Sequence, residues 1–198
     1  ILLMNGNYKA DDKTQLSAVA NFVRAGSPSA WITLKNYPGH QPVILCQGKD
    51  GVRIAQGTAR TATLAPILAY LEVRGLHFKG NSAELLKQNS PELGTSTPAT
   101  ETTGVYIDGS FSPVRMYHHI RVADCIAEYC GADGIYGDYT DWLTLENNIL
   151  RYNCFTSVHC AMSGFSLMHY ADFHKVDNVT KILVRANQAY GNQCKVYT

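Results

Sequence analysis

The chain has 198 residues, of which 45% are hydrophobic and 17% charged, and its formal net charge is +1. That composition excludes a disordered polymer, offers no basic stripe to neutralise nucleic-acid phosphates, and contains no apolar run long enough to span a bilayer. A chain of this length supports one domain, residues 1–198, with a sizeable core.

In chain order, Ile1-Leu2-Leu3-Met4 reads as a strand closed by the turn signal Asn5-Gly6-Asn7. Residues 13–25 suit a helix through Leu16, Val19, Ala20 and Val23, or a strand through the alternation around Val19 and Phe22, and Gly26-Ser27-Pro28 stops either. Residues 31–56 form a strand-rich unit broken by Tyr37-Pro38-Gly39, and a Thr/Ala-rich connection, 57–68, leads to a second unit at 70–81. Three insertions follow. Residues 82–103 are a polar excursion of 22 residues, long enough to suggest a functional or mobile loop. Residues 109–119 carry Arg115, His118 and His119, and residues 168–180 carry His169, Lys175 and Asp177.

Residues 118–154 hold the clearest internal repeat, in which a 23-residue step sets Ile120 over Leu143, Val122 over Leu145 and Ala127 over Leu150. The register extends outward. Ile32, Leu71, Ile120, Leu143 and Ile182 form one column, and Leu34, Val73, Val122, Leu145 and Val184 a second, two residues on, as one strand face requires. Ten residues past the first column the pattern places Pro42, Asn81, Cys130, Asn153 and Asn192 at a corner. A further short strand follows each of the first four copies, opening at Gly51, Gly104, Gly134 and Gly164. Short strands recurring in fixed order, none able to bury its apolar face alone, mark a solenoid whose neighbouring coils share one core.

Three short strands per turn over about five coils, over nearly the whole chain, resemble the right-handed parallel β-helix of the pectate-lyase-like superfamily. Ile32-Thr-Leu-Lys-Asn-Tyr-Pro-Gly-His-Gln-Pro-Val-Ile44 looks like the opening coil of bacterial members. The resemblance implies an all-β fold, favours a strand within 13–25, and points to an exported, secreted or cell-surface protein. It is weak for activity, because the superfamily holds polysaccharide lyases, hydrolases, epimerases and non-enzymatic surface proteins. The chain opens inside an apolar run, and no Gly-containing strand follows the fifth copy. The expectation is a fragment without end caps, whose open strand edges would pair with a neighbour. Six cysteines allow disulfides; Cys125, aligned with Leu76 and Asn148, reads as a small core residue, and Cys154 with Cys160 as a candidate bridge.

Counting from each glycine of the Gly-containing strand, the first and third following residues are mostly apolar and point inward, so the second and fourth point outward. The outward columns are Arg53, Tyr106, Tyr136, Ser166 and Ala55, Asp108, Asp138, Met168. Coils about 4.8 Å apart would set Asp108 on Asp138, and stacked like charges need a cation, a shared proton or a basic neighbour. Ca²⁺ held by Asp108 and Asp138, with Asp133 or Asp141, answers that need; the plainer alternative is that these aspartates cap turns. Tyr106 and Tyr136, with His169, are candidate sugar contacts.

The resembling lyases place their groove along this sheet and pair a charge-neutralising cation with a base, here Lys175, Arg115 or His118. The implied function is a lyase of an acidic (uronate) polysaccharide acting by β-elimination. The alternative is a non-catalytic structural or adhesive surface β-helix that assembles end to end; a glycoside hydrolase is a third option. Elsewhere, Lys79, Glu128, Arg151 and Tyr190 read as a charge ladder across coils, and Asn148 with Asn187 as a hydrogen-bonded ladder at a corner.

Overall fold

The computed structural model describes residues 1–11, 17–55, 67–87, 101–110, 116–155, 163–170 and 175–193. The chain winds in coils. The first holds β1 (Leu2–Leu3), β2 (Asn7–Tyr8) and β3 (Ala18–Asn21), and the second β4 (Ile32–Asn36), β5 (Val43–Cys46) and β6 (Asp50–Ala55). The third holds β7 (Ala69–Arg74), β8 (His77–Gly80), helix α1 (Ser82–Lys87) and β9 (Val105–Asp108). The fourth is β10 (Tyr117–Ala123), β11 (Ile126–Glu128) and β12 (Ile135–Asp138), and the fifth β13 (Thr140–Glu146), β14 (Ile149–Arg151) and β15 (Phe165–Met168). Strands β16 (Ile182–Arg185) and β17 (Gln188–Tyr190) begin a sixth.

Each strand pairs in parallel with its counterpart one coil away, giving a first sheet β1-β4-β7-β10-β13-β16, a second β2-β5-β8-β11-β14-β17 and a third β3-β6-β9-β12-β15. The fold is a parallel β-helix, as the repeat implied. Both apolar columns of the first sheet are in register, Ile32 on Leu71 on Ile120 on Leu143 on Ile182 and Leu34 on Val73 on Val122 on Leu145 on Val184. Inward side chains of all three sheets merge into one core, in which Ile54, Leu71, Phe78, Ile107 and Leu143 are fully buried. Neighbouring coils therefore supply the burial that a single coil lacks.

Sheet corners carry hydrogen-bonded ladders. At the corner between the first and second sheets, Asn148 Oδ1 accepts from the Cys125 N–H (3.0 Å) and its Nδ2 donates to Asn187 Oδ1 (2.9 Å) and the Val122 carbonyl (3.0 Å). Asn153 and Asn192 repeat the device at the far end of the second sheet, with Asn153 Oδ1 accepting from Cys130. Lys79, Glu128, Arg151 and Tyr190 stand in one row, where Arg151 pairs with Glu128 at 2.7 Å and reaches the Tyr190 hydroxyl. Cys125 is buried, and Cys46, Cys125 and Cys130 carry free thiols. The Cys154–Cys160 bridge lies partly outside the described residues.

Four details depart from the sequence reading. A coil made of β1, β2 and β3 precedes the five aligned copies; its strands of two to four residues are too short for the apolar columns to register. The residue paired with Asn81 is not Pro42, because Cys46 pairs with Gly80. Lys35 pairs with Arg74 and Val43 with His77, so this corner takes eight steps in the second coil but three in the third. The 82–103 excursion opens with helix α1, which turns on Ser82, whose hydroxyl donates to the Tyr129 carbonyl. His118 and His119 lie within β10 rather than in a loop.

Candidate functional site

On the third sheet the two outward columns are in register, Arg53 on Tyr106 on Tyr136 on Ser166 and Ala55 on Asp108 on Asp138 on Met168. The stacked aspartates, expected on an exposed face, are instead buried, each at 6% exposure. Their burial follows from hydrogen bonding along the same strands. Asp108 accepts from the Tyr106 hydroxyl (3.0 Å) and the Ser110 N–H (2.8 Å). Asp138 accepts from the Tyr136 hydroxyl (3.2 Å) and the Tyr139 N–H (3.0 Å), and its Oδ1 lies 2.8 Å from His169 Nδ1. Each carboxylate thus has protein donors, which lower the cost of placing two of them side by side.

The tyrosine rings stack on one another, centroids 4.9 Å apart and 10° from parallel, and the Arg53 guanidinium lies 4.1 Å from the Tyr106 centroid. Arg53 is itself paired with Asp50 at 2.9 Å. Ring faces are thereby used along the solenoid axis. Burial, and then the charge of the adjacent aspartate, push both phenols well above their ordinary range, so neither tyrosine is a base at neutral pH.

The remaining acidic candidates sit apart. Asp133 precedes β12 and is fully buried; its Oδ1 accepts from the Ser163 N–H (2.8 Å) and the Ser166 hydroxyl (2.6 Å), while Oδ2 meets no donor among the described residues. Burial pushes this carboxyl up to about 6, against the two hydrogen bonds that favour its charge. Asp141, in β13, accepts from the Trp142 N–H at 2.9 Å and lies 3.9 Å from Lys181 Nζ. Among the described residues no three His, Cys, Asp or Glu side chains converge where one metal ion would fit. The donors already on Asp108, Asp138, Asp133 and Asp141 suit self-contained carboxylates better than a Ca²⁺ cage.

Of the base candidates, Arg115 lies outside the described residues, Lys175 is exposed, and His118 is in β10, its Nδ1 2.8 Å from Nδ1 of His119. His169 follows β15 and combines access with a partner: its side chain is 59% exposed, it contacts Asp138, and its ring stacks on Tyr139 at 4.9 Å. Sequence reasoning placed His169 among the sugar contacts and did not foresee the carboxylate beside it.

It also missed an aromatic column. Tyr70, His119 and Trp142 stack in successive coils (4.6 and 5.1 Å), with Trp31 edge-on to Tyr70 and Lys181 5.7 Å from the Trp142 centroid. Tyr70, His119 and Trp142 all have positive φ, a left-handed kink repeated at one level of the first sheet without a break in register. The signal was available, since each residue immediately precedes a member of the first apolar column.

No family model, curated protein or solved structure matches the chain. No helix among the described residues is long and apolar enough to cross a membrane.

Proposed function

We propose that this β-helix is a carbohydrate-active protein of the pectate-lyase-like kind, exported to the cell surface or beyond, that cleaves an acidic polysaccharide by β-elimination. The observation that carries the reading is the Asp138–His169 contact of 2.8 Å at the accessible end of the tyrosine–aspartate row. A carboxylate accepts from Nδ1–H, which leaves Nε2 as the lone-pair nitrogen on an exposed ring, the arrangement of an oriented general base.

In this reading Nε2 removes the proton beside the uronate carboxylate. The electrons of that C–H bond form the new double bond, and the glycosidic oxygen departs with its bonding pair and takes up a proton. Asp138 holds the ring and stabilises the imidazolium that forms. Lys175, exposed on the insertion that follows His169, is the candidate cation to offset the uronate charge. The rival reading, a non-catalytic surface β-helix, is favoured by the tyrosine faces and aspartate oxygens being engaged within the stack.

The test is ultraviolet absorbance of unsaturated uronate on pectate, alginate and chondroitin sulfate, with and without Ca²⁺, for wild type, His169→Gln and Asp138→Asn. Product on one polymer, lost in His169→Gln and cut by about 10²-fold or more in Asp138→Asn, supports the reading. No product on any polymer moves the assignment to the surface protein, and parallel calorimetry with Ca²⁺ decides whether a cation binds at all.

A further inference from the structure

The corner between the first and second sheets is tight in the third to sixth coils, turning at Gly75, Asp124, Asn147 and Ala186 with φ of 65°, 56°, 55° and 54°. In the second coil the extra residues after Asn36 overhang this line, and beneath them lies a cavity of about 420 Å³. That volume falls within the roughly 300–1,000 Å³ typical of small-molecule sites.

The overhang is built rather than slack. The Tyr37 N–H donates to the Leu3 carbonyl (2.7 Å), Asn36 Nδ2 to the His40 carbonyl (2.9 Å), and the Gln41 N–H to Asn5 Oδ1 (2.7 Å). Gly75 fits under it closely, since a Cβ there would fall 2.2 Å from Asn36 Oδ1. A further bond fixes a proton. The Asn5 N–H donates to His40 Nδ1 at 2.9 Å, and a backbone N–H can only donate, so the His40 ring is neutral with its hydrogen on Nε2.

The chemistry of the lining selects among ligands. Arg74 is engaged by Glu72 and Asp124, so no unspent cation is available to capture an anion, and Asp124 is matched by the same arginine. His77 Nε2 meets Glu128 at 2.9 Å, which leaves Nδ1 as the ring nitrogen not engaged by that carboxylate. The cavity therefore sets a fixed imidazole donor, a second imidazole and the Gln41 amide beside the half-buried Ile126, while Leu76 belongs to the core behind it. Hydroxyls that each donate and accept, carried on a ring with apolar faces, match that lining.

We infer that the cavity beneath the 37–41 overhang binds a neutral sugar unit, at a site separate from the third-sheet face and independent of whether His169 acts as a base.

Titration of the ¹⁵N-labelled protein with glucose, galactose, mannose and N-acetylglucosamine at millimolar concentration tests this, with acetate as an anionic control. The expected result is saturable shift of the amides of Asn36, His40, Gln41, Gly75 and His77 with at least one sugar. Gln41→Ala and His77→Ala should each weaken that binding by about threefold to tenfold, as loss of one hydrogen bond predicts. Gln41 is exposed and its anchoring bond uses only the main chain, so Gln41→Ala keeps the fold, which unchanged thermal unfolding checks. The inference is overturned if no sugar shifts these amides, if both variants bind as wild type does, or if acetate competes for the same amides.

Discussion

Asp133 gives the sharpest physical prediction, because its carboxyl is fully buried, with one oxygen unpartnered among the described residues, and is pushed up to about 6 from an ordinary 3.8. The folded chain keeps this proton up to about pH 6, whereas the unfolded chain releases it near 3.8. Between those values the folded state binds more protons, so raising the pH destabilises it. At about 1.4 kcal/mol per pH unit, that interval corresponds to about 3 kcal/mol of stability lost between roughly pH 4 and pH 7. Asp133→Asn keeps an oxygen for Ser163 and Ser166 but cannot titrate. Placing an amide nitrogen where Oδ2 now lies costs about 1–3 kcal/mol at every pH, so the change with pH is the informative quantity. Urea unfolding of both proteins across this range should show the difference between variant and wild type shifting by about 3 kcal/mol in the variant's favour as pH rises. Asp50, also pushed upward by burial, titrates in both proteins and cancels. Parallel stability curves would refute the assignment of a buried, proton-retaining carboxyl.

Further outcomes follow from the core and the ladders. Leu143→Ala, at a fully buried position shared by three coils, should cost about 2–5 kcal/mol in urea unfolding. Asn148→Ala strands the Cys125 N–H and the Val122 carbonyl in the interior, and a loss of about 2–4 kcal/mol is expected from chemical denaturation. Burial pushes the Cys125 thiol up to about 12, and Cys46 and Cys130 are equally enclosed, so a colorimetric thiol reagent at mild alkaline pH should leave all three unmodified until denaturant is added. Rapid labelling of Cys46, Cys125 or Cys130 in the native protein, located by peptide mapping among the six cysteines, would contradict that enclosure.

The fold was legible because a solenoid writes its register directly into the sequence. Ile120 and Leu143 face the same core at the same level, and the 23-residue step between them is the length of one coil without insertions. Pro42 failed because a fixed offset assumes corners of equal length, and the Tyr37–Gln41 overhang breaks that assumption. The third-sheet site was half legible: period two placed Tyr106 on Tyr136 and Asp108 on Asp138, but exposure does not follow from facing outward. Tyrosine hydroxyls two residues away fold back over the carboxylates, a side-chain choice that alternation does not encode. Nor does periodicity reveal His169 beside Asp138, since the contact joins the end of one coil's strand to the residue after the next.

The unequal corner has a consequence for how such a chain can change. Five extra residues enter after Lys35, yet Val43 meets His77 and the sheets resume as though nothing had been added. Sequence length at a corner is thus uncoupled from strand pairing, and a peptide inserted at the exposed Pro38–Gly39 turn, with the Tyr37 and Gln41 anchors to the first coil kept, should be displayed on the outside of the solenoid without changing the strand register on either side.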